Sequence, residues 1–83
     1  MTAWARAVVD EEVVLDGETL LRLGDRLHRL DVPASTVWRL LPGDADAIAA
    51  AISSVVGEGG DRVLADVTAL LDRLATDGLV EPA

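Results

Sequence analysis

The sequence has no cysteine, no phenylalanine, no tyrosine and no lysine. Without cysteine there is no disulfide, no thiolate nucleophile and no zinc–thiolate site. Trp4 and Trp38 are the only aromatic residues, so a core has to be assembled from Leu, Val, Ile and Ala. His28 is the only histidine, so a metal or catalytic reading would need carboxylates gathered around one imidazole. An ordinary strand residue, hydrogen-bonded or touching solvent, is the simpler reading. Long apolar runs are missing as well, so nothing is long enough to span a membrane. The opening stretch MTAWARAVVDEEVV carries one Arg and no long apolar run before its acids, which is unlike a signal peptide. The expectation is a cytoplasmic protein with no membrane partner.

What is present is a hydrophobic, acidic chain. Of its 83 residues, 51% are hydrophobic, which favours a folded globule over a disordered segment. A chain of this length forms one domain, 1–83. Seven arginines face fifteen acids, for a net charge of −8. The acids are spread along the chain and form no tail. Such a field repels phosphate backbones and draws basic peptides or proteins.

Turn signals divide the first part of the chain. Asp16-Gly17 and Gly24-Asp25 suit hairpin tips, where φ > 0 is needed. They delimit three short pieces, 12–15, 18–23 and 26–30, each containing Val, Leu or Thr. This predicts a three-stranded antiparallel meander, and a further strand over 4–9 is an option. Alternation in the third piece sets Leu27 and Arg29 on one face and Arg26, His28 and Leu30 on the other. Neither face is cleanly apolar, as in an edge strand beside a groove or in any half-exposed strand.

Helical signals follow at once. Pro33 suits a first helical turn and Asp31 precedes it as a cap. Val37, Leu40 and Leu41 make an apolar stripe with Trp38 beside it, and Pro42-Gly43 stops the helix. Asp44 or Asp46 caps a second helix, in which Ile48, Ile52, Val55 and Val56 share a side. GEGG, residues 57–60, reads as a loop and as the flexible spot of the chain. Asp61 starts a last helix with Leu64, Val67, Leu71 and Leu74 as core stripe and Val63, Asp66, Leu70 and Arg73 on an adjoining stripe. Gly78 ends it in the left-handed position, and Leu79-Val80 packs back. Strands followed by three helices make an α+β, winged helix-turn-helix-like fold.

Few residues offer chemistry. Ser35, Ser53 and Ser54 lack a nucleophile-elbow context and a base. GEGG has no following Lys and is no phosphate loop. The acid pairs Glu11-Glu12 and Asp44/Asp46 read as solvated surface and caps. A carrier protein would attach its cofactor to a Ser in an Asp-Ser-Leu type motif, and PASTV and AISSVV do not match. A winged helix suggests a DNA-binding regulator, but the second helix has no basic residue and the third has two Arg against four Asp, so phosphate contacts would be few. Fold alone does not fix function.

LHRLDVPASTVWRLLPG, followed later by DVTALLDRLATDGLV, resembles the PqqD-like family of peptide-recognition domains, also called RiPP recognition elements. The family pattern falls on Leu30-Asp31, Ala34-Ser35, Val37-Trp38, Leu40-Leu41-Pro42-Gly43, Asp66-Val67, Leu70-Leu71, Leu74 and Gly78-Leu79-Val80. It spans roughly 12–80, with Asp31 where the family commonly has Asn. Stand-alone members of this size look most like the leader-binding protein of lasso peptide biosynthesis. Members serving a radical SAM enzyme in quinone cofactor biosynthesis come next.

The resemblance implies a non-catalytic module without a cofactor or metal. It would capture the leader peptide of a ribosomally made precursor and deliver it to a separate leader peptidase and a cyclase. The leader would add as a strand along Arg26, Leu27, His28, Arg29, Leu30 and Asp31, with Val63, Asp66, Val67, Leu70 and Arg73 facing it from the last helix. Val67 has a competing role as pure core, and Asp66 and Arg73 as solvated surface. Trp38 is expected to anchor its helix in the core. The resemblance further implies a leader with a Tyr and, three residues on, a Pro.

Overall fold

The computed structural model describes residues 2–57 and 59–83. Its first unit is a hairpin sheet: β1 (Ala3–Arg6) precedes it, and β2 (Glu11–Leu15), β3 (Glu18–Leu23) and β4 (Arg26–Leu30) form it. The order is β2-β3-β4, antiparallel throughout. Both hairpins follow from their two-residue loops. Asp16 and Gly17 both take positive φ, 54° and 80°, and only Gly24 of the second loop does, at 63°. These are the mirror-image turns whose twist matches that of paired strands.

β4 then runs directly into α1 (Val32–Leu40). The junction is made by local hydrogen bonds. The Asp31 side chain accepts from the Ala34 backbone N–H at 3.0 Å, filling an orphan donor of the first turn. Pro33 sits in that turn, where its missing N–H leaves nothing unpaired. The buried Ser35 hydroxyl donates to the Leu30 carbonyl at 3.1 Å, tying helix to strand. Trp38 is 1% exposed, as expected of a core anchor. Its indole N–H donates to Glu12 Oε1 of β2 at 3.2 Å, and the Arg6 guanidinium lies 5.7 Å from its ring centroid.

The chain continues through β5 (Gly43–Asp44), α2 (Ala45–Val56), α3 (Gly60–Thr76) and β6 (Val80–Pro82). Asp44 caps α2 by accepting from the Ala47 N–H at 2.8 Å. α3 begins one residue before Asp61, with Gly59 as N-cap. Of the expected 57–60 loop, residue 58 lies outside the described residues. Gly57 closes α2 at φ 72° and Gly78 follows α3 at φ 75°, both left-handed.

The sequence reading anticipated one sheet, and the structure adds a second. β1 lies between β5 and β6, antiparallel to both. This sheet fastens the two ends of the chain to the turn between α1 and α2. The core gathers Leu21, Leu30, Val37, Trp38, Leu41, Ile48, Val63, Val67, Leu71, Leu74 and Leu79. Two expectations need correction. Val55 and Val56 share a side of α2 with Ile48 and Ile52 but are 85% and 55% exposed. Leu64 is only half-buried, and Val63 takes a full place in the core at 5% exposure.

Candidate functional site

Antiparallel ladders alternate residues that exchange both backbone hydrogen bonds with residues that exchange none. A two-residue hairpin is closed by a bonded pair. Here that pair is Leu23 and Arg26, so His28 with Leu21 and Leu30 with Thr19 bond in turn. Leu27 and Arg29 therefore present N–H and C=O groups to the open side, and among the described residues β4 has no neighbour there. An open strand edge is a template for another strand.

Side chains on β4 divide as the alternation predicts. Leu30 is 5% exposed and His28 is half-buried on the inner face, and Leu27 is 77% exposed on the outer one. Arg29, also outward, grips Glu18 with contacts of 2.8, 2.8 and 3.1 Å. His28 turns its Nε2 into the interior, where that atom is buried with no hydrogen-bond partner among the described residues. It is a half-buried strand residue.

A groove follows the flank of α3 in two compartments. One, of about 290 Å³, is apolar and lies between the three helices, lined by Pro33, Thr36, Val37, Ile52, Val56, Val63, Asp66, Val67 and Leu70. The other, of about 350 Å³, lies between β4 and the end of α3, lined by Glu18, His28, Arg29, Leu30, Asp31, Arg73, Leu74 and Asp77. The first is floored by branched aliphatics and suits an apolar side chain. The second is walled by carboxylates, guanidinium groups and an imidazole, and suits polar groups. Leu70 of the first and Arg73 of the second are one turn apart on α3.

The structure brings nine of the eleven anticipated residues to this groove: His28, Arg29, Leu30, Asp31, Val63, Asp66, Val67, Leu70 and Arg73. Arg26 and Leu27 do not line it. Arg26 belongs to the hairpin end of β4, and the Leu27 side chain points away, although its backbone stands on the open edge. Val63 and Val67 are both core and groove floor. Sequence reasoning missed the contributions of α1 and α2, Pro33, Thr36, Val37, Ile52 and Val56. Their apolar spacing marks core positions, and only the packing of three helices shows which of them border an opening.

Among the described residues no cluster of three or more His, Asp or Glu is arranged to hold a metal. No described helix is long and apolar enough to cross a membrane.

No curated protein matches this chain. Among solved structures it is similar to the one described as TbiB1 in complex with the TbiA(beta) leader peptide. The TM-score is 0.81 at 25% identity, covering 93% of this chain and 94% of that one. The profile of the family described as Coenzyme PQQ synthesis protein D (PqqD) matches residues 11–80, which takes in the hairpin sheet, all three helices and the whole groove. The chain belongs to the PqqD family.

Proposed function

We propose that this protein is a non-catalytic module that captures the leader segment of a ribosomally made precursor peptide. The leader adds as a fourth strand to β4, beside α3. The observation that carries this reading is the open edge at Leu27 and Arg29 next to a groove with an apolar and a polar compartment. Backbone pairing supplies affinity with little demand on sequence, and the compartments select side chains. The similar TbiB1 structure, described as a leader-peptide complex, supports the same reading. In this role 1–83 acts as one domain in the cytoplasm. It delivers the precursor, by our reading a lasso peptide precursor, to a separate leader peptidase and cyclase.

Membership of the PqqD family favours a second version of the same chemistry, in which the domain presents its peptide to a radical SAM enzyme of quinone cofactor biosynthesis. A winged-helix DNA regulator is the alternative from another class, and a net charge of −8 opposes it.

Fluorescence polarisation with a labelled leader from the precursor encoded beside this gene tests the reading. Saturable binding at roughly micromolar Kd, about −8 kcal/mol, is the expected outcome. Absence of saturable binding to any neighbouring precursor would remove the peptide-capture reading.

A further inference from the structure

Strand addition through backbone groups alone leaves the direction of the added strand weakly specified, because parallel and antiparallel pairings differ only slightly per residue. The charges along the groove are not symmetric, and this asymmetry supplies what the backbone lacks. Asp66 lines the apolar compartment and Arg73 the polar one. Both are exposed, and neither takes part in an ion pair or side-chain hydrogen bond among the described residues. Other charges in the groove are already engaged: Arg29 and Glu18 compensate each other, and Asp31 caps α1. Asp77, one turn beyond Arg73, also lines the polar compartment. With Asp31 it prevents that compartment from being a general anion site, so an acidic side chain is accepted only where it meets Arg73.

We infer that Asp66 and Arg73 read charge order in the bound peptide and so fix its direction. The inference rests on the peptide-capture reading above and adds a specificity rule to it. The two residues are separated by seven positions on α3, about 10.5 Å along the helix axis. An extended strand rises about 3.3 Å per residue and returns to the same face every second residue, so side chains about four residues apart meet both. β4 runs toward Pro33 and the apolar compartment. A strand antiparallel to it therefore enters with its N-terminal part near Asp66 and leaves past Arg73. The favoured ligand is an extended peptide with Lys or Arg first and Asp or Glu about four residues later.

Two synthetic fluorescein-labelled peptides test this. They have the same composition, alternating Val and Thr between Ser-rich ends. In one a Lys precedes a Glu by the stated spacing, and in the other the two are exchanged. Exposed ion pairs are individually weak, so the comparison sets two attractive pairings against two repulsive ones. Wild type is expected to prefer the Lys-first peptide by roughly tenfold at low salt, with the preference fading as salt rises. The double variant Asp66→Arg, Arg73→Asp should reverse the preference while keeping the thermal midpoint of wild type, since both side chains are exposed. Equal affinities in wild type, a preference that survives the exchange, or failure of both peptides while the neighbouring precursor's leader binds would each overturn the inference and leave peptide capture standing. Failure of that leader as well would overturn the underlying reading.

Discussion

At the residue scale, a few side chains decide whether the edge and groove exist. Asp31 joins strand to helix by capping the Ala34 N–H, and Asp31→Ala should cost about 1 kcal/mol of stability, measurable by thermal or urea unfolding. Leu70 is only half-buried yet lines the apolar compartment. Leu70→Ala should weaken leader binding by roughly tenfold, about 1.4 kcal/mol, with a much smaller change in unfolding midpoint. A polarisation titration run beside a melt separates the two effects. The cap was legible in the sequence because Asp-x-Pro before an apolar periodic segment has a mechanical meaning. The burial of Val63 was not legible. It lies one position from Leu64, and the period of a helix cannot tell which of two adjacent apolar residues faces a neighbour until that neighbour's angle is known.

At the element scale, the proposed function rests on β4 because it is an edge. Its N–H at Arg29 points away from β3, so a proline there removes a donor from the open side and none from the existing ladder. Arg29→Pro should abolish peptide binding while circular dichroism reports a folded domain. Arg29→Ala, which loses the contact with Glu18 but keeps the N–H, should bind within a few-fold of wild type. The hairpins were readable from Asp16-Gly17 and Gly24-Asp25, since those pairs tolerate the φ values the loops require. The second sheet was not readable in full. Its strand at 43–44 is two residues long and pairs only with the distant β1, so neither alternation nor a turn marks it. At the end of α2, Val55 and Val56 keep the helical spacing but stay exposed, and Val56 borders the open apolar compartment.

At the scale of the whole molecule, charge separates the peptide-binding reading from the one its architecture first suggests. A winged helix-turn-helix-like fold is common in DNA-binding proteins, yet this chain carries fifteen acids against seven arginines. Mixing with duplex DNA at low salt should give no change in mobility, where a DNA-binding relative of the fold would give a steeply salt-dependent shift. The groove itself is a property of the assembled molecule. Its apolar compartment draws on all three helices, and its polar compartment spans β3, β4 and α3 with the capping residue of α1 between them. Family resemblance made most of its residues legible in the sequence, and periodicity alone would have assigned them to core or solvent.

Strand addition makes a demand on two particular backbone groups. In the free protein the amides of Leu27 and Arg29 have no strand partner among the described residues, whereas those of His28 and Leu30 are held by β3. Amide hydrogen exchange read residue by residue by NMR, with and without a saturating leader peptide, tests this directly. The account predicts fast exchange at Leu27 and Arg29 in the free protein and strong protection at both when the peptide is bound, with His28 and Leu30 protected in either state. A peptide that binds saturably and leaves the exchange of Leu27 and Arg29 unchanged would contradict it.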